Sequence, residues 1–212
     1  MIQVLEVAGS PVNTVVVPTN PGLRAVEFTI EDAVAIVTSI FTGQTQAQQW
    51  PGADQWSGTM TLPPLTQSQA DVWLSFLMEC RGMANPFLLG DPLKRIPSGA
   101  VHGAPLVDGA HIAGTTLLST RGWDASKFRL LLTGDYLQLG YRLHRVLGTV
   151  NSDANGRAQI AIWPSLREVP PDGQSVVLKN TVGLFRLATN KRAWSSDYTR
   201  LTRMSFQVME YR

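Results

Sequence analysis

The residues best suited to chemistry are three histidines, a single cysteine and a scatter of carboxylates. His102, Asp108 and His111 come nearest to a metal-ligand set. Imidazole and carboxylate are ordinary zinc donors, but donors must converge and the histidine rings need partners that hold them. These three lie in a glycine-rich stretch between Pro97 and Gly114, without the helical or strand spacing that would bring them together. They read as exposed loop residues, and no metal site is expected. His144, between Leu143 and Arg145 in a predicted strand, reads as a surface residue rather than a general base. A carboxylate pair for acid–base work would come from Asp124, Asp135, Asp153, Glu168 and Asp172. Most of these fall in turns, where Asp is favoured because it bonds the local backbone. Cys80 stands alone, which excludes an internal disulfide and a Cys-rich zinc site, and it reads as a small core residue. The phosphate loop, dinucleotide fingerprint, zincin helix, nucleophile elbow and EF-hand loop are all absent from the sequence. Each of those chemistries needs its groups at fixed spacing. No catalytic or cofactor-binding residue is therefore expected, and the chain does not read as an enzyme.

The elements that would position any site are mostly strands. Charged residues make up 16% of the chain, below the usual quarter, while the apolar share is ordinary. That balance suits β-rich structure with large protein contacts and argues against disorder. The net charge of +2 comes without a basic run beyond Lys94-Arg95 and Lys191-Arg192, so no nucleic-acid footprint is legible. The N-terminus lacks the pattern of a signal peptide, and the chain is expected to be made in the cytoplasm. The apolar run from Ala33 to Phe41 is broken by Thr38 and Ser39 and is too short to span a bilayer, so no membrane insertion is expected.

Residues 1–24 read as an edge strand or an extended arm around Val15-Val16-Val17. Residues 25–62 read as a β-meander, in which Ala33–Ile40 is the deeply buried strand and Gln44–Trp50 is polar and faces solvent or a partner. Trp56, Gly58, Met60 and Leu62 then alternate with polar residues, the period of a half-buried strand. Pro63-Pro64 ends that strand. Thr66 and Gln69 make a capping box for a helix whose apolar stripe runs through Ala70, Trp73, Leu74 and Leu77 to Arg81, with Gly82 as the residue after the cap. Strand candidates follow at Thr116–Ser119, Tyr136–Leu139, Tyr141–Val150, Ala158–Trp163 and Ser175–Leu178, with an Asn155-Gly156 hairpin turn. The last 32 or so residues return to longer strands that are expected to rejoin the first sheet. This divides the chain into 1–95 with 181–212, and an inserted β module at 96–180.

The order of several motifs resembles the distal tail proteins, or minor tail proteins, of long-tailed, non-contractile bacteriophages. They are F-T-G-Q-T-Q (Phe41–Gln46), W-S-G-T-M-T-L-P-P-L-T (Trp56–Thr66) and R-G-M-A-N-P-F-L-L-G-D-P (Arg81–Pro92). The second module continues with T-R-G-W (Thr120–Trp123), L-T-G-D-Y-L-Q-L-G (Leu132–Gly140), L-H-R-V (Leu143–Val146), D-A-N-G-R-A (Asp153–Ala158) and W-P-S-L-R (Trp163–Arg167), before F-R-L-A (Phe185–Ala188). The resemblance implies a mainly β fold with one flanking helix: a tail-tube-like β-sandwich or barrel carrying an inserted small β-barrel module. It implies a structural virion protein at the distal end of the tail, forming a hexameric ring between the tail tube protein and the tail hub protein. The ring would pass DNA through its lumen without sequence recognition and carry tail fibres or a receptor-binding protein.

Within that reading, Gln44, Gln46, Gln48 and Trp50 are the expected subunit-interface residues. The alternative is a carbohydrate-binding adhesin module, for which Trp123 and Trp163 would be the ligand-facing aromatics. A hydrolase of cell-wall polymers fits least, because no nucleophile or carboxylate pair stands out.

Overall fold

The structure, a computed structural model, describes residues 2–7, 9–196, 198 and 200–212. The chain begins with β1 (Ile2–Val7), β2 (Ser10–Val15), β3 (Ala25–Glu31), β4 (Val34–Thr38), β5 (Thr45–Gln49) and β6 (Gln55–Thr61). Helix α1 (Gln67–Glu79) and β7 (Phe87–Leu89) follow. Next come β8 (Gly103–Val107), β9 (Leu117–Trp123), β10 (Tyr136–Leu139), β11 (Arg142–Val146), β12 (Ala158–Trp163) and β13 (Val176–Val177). The chain closes with β14 (Gly183–Leu187), β15 (Trp194–Ser196) and β16 (Thr202–Glu210). It is mainly β, with one helix among the described residues.

The first sheet has the order β1-β2-β7-β14-β16-β6-β3, with β15 pairing the start of β16. Its centre is built by alternation. In β16, Thr202, Met204, Phe206 and Val208 are buried while Arg203, Ser205 and Gln207 point outward. Trp56, Gly58 and Met60 do the same in β6. Gly58 is required by close approach, since a Cβ there would lie 2.3 Å from the Glu27 carbonyl oxygen of β3. The N-terminal stretch is an edge hairpin rather than an arm: β2 pairs antiparallel with β1, and the Val15 N–H donates to Pro86 O at 2.9 Å.

Helix α1 covers the inner face of this sheet. Gln69 Oε1 accepts the Thr66 N–H at 3.0 Å at its start. Its buried face is Ala70, Trp73, Phe76 and Leu77, so Phe76, more than the half-buried Leu74, completes the stripe. Trp73 and Phe76 pack on Phe206, and Phe76 meets Phe87 edge-on at 5.2 Å. Burying each such side chain contributes about 1.5–3 kcal/mol before entropy. The helix ends at Cys80, and the left-handed position after it is taken by Arg81 (φ 49°), with Gly82 (φ 70°) following. Asn85 stops the turn by donating from its side chain to Glu79 O at 2.8 Å.

The second sheet has the order β13-β10-β11-β12-β9-β8. Leu106 of β8 bridges Ser175, and the Val107 N–H donates to Gln174 O at 2.9 Å, so the sheet curls into a nearly closed barrel. Val107, Leu118, Leu130, Leu137, Ile160 and Ile162 fill it. The strands on either side of this barrel in sequence, β7 and β14, pair with each other in the first sheet.

The meander expected over residues 25–62 does not form. β3 pairs directly with β6 over its whole length, from Ala25↔Thr61 to Glu31↔Gln55. β4 and β5 leave the sheet as a separate two-stranded ribbon. The strand expected to be most buried is therefore exposed: Ile36 and Val37 are 68% and 67% accessible. Apolar content alone pointed to burial, but β3 and β6 already satisfy each other's backbone and leave no slot between them.

Candidate assembly surface

The ribbon β4–β5 combines a fixed root with a free shaft. Val34 faces Gln49, Ile36 faces Ala47 and Thr38 faces Thr45 on one side, while Ala35 faces Gln48 and Val37 faces Gln46 on the other. Gln44, Gln46, Gln48 and Trp50 have the same parity, and all four are exposed. At the tip, the Ser39 N–H donates to Gln44 O at 2.8 Å and Gly43 (φ 67°) closes the turn. Ile40 and Phe41 at this tip are 90% and 91% exposed.

The root is tied down where the two modules meet. Trp50 N–H donates to Ala33 O at 3.0 Å. Asp54 is buried and accepts the Ser165 hydroxyl at 2.9 Å, and Ser165 Oγ accepts the Gly52 N–H at 2.8 Å. Arg167 donates to Gly52 O at 3.2 Å and to Asp54 O at 2.8 Å. Asp32, at the other root, accepts the Trp163 indole N–H at 2.8 Å.

No Asp, Glu, Lys or Arg occurs from Ala33 to Ala53. Soluble proteins protect exposed strand edges with charge, Pro or a covering element, and an isolated two-stranded hairpin is marginal in water. The ribbon is exposed and uncharged, and β4 and the tip show Val34, Ile36, Val37, Ile40 and Phe41 to solvent; contiguous exposed apolar surface of this kind marks interaction sites. Ile36, Val37, Ile40 and Phe41 belong to it, and sequence reasoning placed the first three in a deeply buried strand. The signal that distinguished them was the unbroken lack of charge around them.

The residues considered for chemistry make separate local contacts. Asp108 accepts from Arg121 at 3.1 Å and lies 3.3 Å from Arg157. His111 accepts the Ser119 N–H at 2.9 Å through Nε2, and His102 lies 3.9 Å from Asp124. Asp172 accepts the Gly109 N–H and two bonds from Arg121, which hold its carboxyl below the usual range. Asp153 accepts the Arg157 and Asn155 N–H groups, both at 2.8 Å, and is likewise lowered. Asp135 is fully buried. Burial alone would raise its pKa, but the N–H groups of Leu132, Ser98 and Gly99 and the Lys94 ammonium together hold it low.

His144 is corrected from a surface to a buried residue: it is 3% exposed, with Nδ1 donating to Pro164 O at 2.8 Å. Burial pushes its pKa down to about 4, helped by Arg142 and Arg167, against the Pro164 bond that favours the cation. Trp123 offers no ring to a sugar. It is 5% exposed inside the barrel, and its indole N–H donates to Thr120 Oγ1 at 2.8 Å. Trp163 is half-buried and meets Trp56 edge-on at 4.5 Å, so its ring serves the contact between the modules.

That contact also holds Glu210, which is buried and 3.5 Å from both Arg142 and Arg167. Burial raises its pKa and the two arginines oppose the rise. Arg142 in turn donates to Glu168 at 2.6 Å and to Tyr211 O. Trp56 Nε1 donates to Leu143 O at 2.9 Å. No helix among the described residues is long and apolar enough to cross a membrane. Neither a family model nor a curated protein sequence matches this chain.

Proposed function

We propose that this chain is a structural subunit of a ring at the distal end of a long, non-contractile phage tail, seated between tube and hub. The observation that carries the reading is the exposed, uncharged β4–β5 ribbon standing on a rigid root. A closed ring joins two different surfaces of each subunit, and a projecting arm that reaches the next copy provides one of them. The motif resemblance of the chain agrees with this role and adds the neighbours: tube protein on one side, hub on the other. The absence of charge on the ribbon also suits repeated contact between identical copies, because no like charges are brought together.

Sedimentation velocity tests the reading. The wild type should form a closed oligomer, alone or with tube or hub protein, and the pair Ile36→Lys with Val37→Lys should remain monomeric at unchanged thermal stability. An oligomer that survives both lysines removes the ribbon from the assembly surface.

A further inference from the structure

We infer that a groove at the β15 end of the first sheet binds a single strand of nucleic acid, gripping phosphates with arginine and lysine and stacking a base on Trp194. The inference is independent of the ring reading. A groove of about 640 Å³ runs past Arg24, Thr61, Ala193, Trp194, Arg203 and Ser205. A smaller hollow of about 310 Å³ continues it, sharing Ala193 and Ser205 and adding Thr59, Thr189, Lys191 and Arg192. Cations from three separate parts of the sequence thus meet on one surface. Lys94-Arg95 and Lys191-Arg192 are the only adjacent basic pairs in the chain, so composition alone hides this patch.

These cations are available. No ion pair engages Arg24, Lys191 or Arg203 among the described residues. Arg192 Nη1 is buried yet has no hydrogen-bond partner. A guanidinium nitrogen removed from water without an acceptor is costly, and an incoming anionic oxygen would satisfy it. Among the described residues, the lining of both hollows contains no carboxylate. Sugars are gripped largely through acceptors for their hydroxyl protons, whereas this surface offers guanidinium, ammonium and hydroxyl donors. Its complement is a ligand rich in acceptors along its length. Trp194 is 51% exposed, lines the same groove as Arg203, and supplies the flat apolar face that distinguishes a nucleobase from a bare polyanion. The hydroxyls of Thr59, Thr61 and Ser205 can donate to phosphate or sugar oxygens between the cations.

Fluorescence anisotropy of a labelled oligothymidylate, about 12 nucleotides long, titrated with the intact protein is the test. With four cations engaged, log K should fall against log salt with a slope of about −3. Arg24→Gln together with Arg203→Gln should roughly halve that slope and weaken binding about tenfold or more at moderate salt. Trp194→Ala should weaken binding by about tenfold while leaving the slope unchanged. These side chains are on the surface, so the variants should keep the wild-type fold, which circular dichroism checks. The proposal is overturned if the wild type fails to bind at about 50 mM salt. Retained affinity in the Arg24/Arg203 pair overturns it too. So does a sulfated glycan that binds as tightly as the oligonucleotide and ignores Trp194→Ala, which would make the groove a general polyanion site.

Discussion

At the scale of single residues, the most informative are those packed where the barrel meets the first sheet. His144 has an unfolded-state pKa near 6.5 and a folded one of about 4. Between those values the unfolded chain takes up a proton that the folded chain refuses. Its contribution is therefore complete above pH 6.5 and is lost as pH falls through the unfolded pKa towards 4, by an amount on the order of 3 kcal/mol. Urea unfolding at neutral pH and near pH 4.5 should show a larger loss for wild type than for His144→Gln. Parallel losses in the two proteins would remove His144 as the source. Arg167 makes a second test. Arg167→Met leaves Glu210 facing one arginine fewer and strips two carbonyls at the ribbon root, so it should cost about 3 kcal/mol. Adding Glu210→Met should recover part of that loss, which a double-mutant cycle in urea measures. A fully additive cycle would mean that the pair does not couple.

At the scale of elements, legibility in the sequence followed periodicity. β6, β16 and α1 were readable because Trp56 to Met60, Met204 to Val208 and Ala70 to Leu77 each keep a strict period against one apolar face. The barrel strands were readable from turn chemistry, as at Asn155-Gly156. β4 was misread because its Val, Ala and Ile residues match a buried strand equally well, and periodicity does not say what covers a strand. His144 was misread for a related reason: in a small, nearly closed barrel nearly every inward residue is buried, and a polar tip is satisfied by backbone oxygen, which sequence does not display. The cations of the β15 groove were invisible because strand pairing, not adjacency, brings Arg24 near Arg203. For the ribbon, lysines at Ile36 and Val37 should shift the unfolding midpoint hardly at all, since both side chains already face water. A large fall in the midpoint would show that the ribbon packs on its own subunit in solution.

At the scale of the whole molecule, the two sheets, the helix and the ribbon divide the labour. The helix stiffens the first sheet, the barrel braces the ribbon root through Ser165, Arg167 and Trp163, and the ribbon is left uncharged and uncovered. In the proposed ring, this arrangement would pass the orientation of the body to the arm, which is what closing a ring at a fixed angle demands. The central claim is that copies of this chain close on one another through that arm. Cryo-electron microscopy of the purified protein, alone and mixed with the tube and hub proteins of the proposed assembly, tests it most directly. The account predicts a closed ring, hexameric by family resemblance, in which density for β4–β5 of each subunit is buried against the next. Subunits that stay single in every mixture, or rings in which the ribbon remains free in solvent, would contradict it.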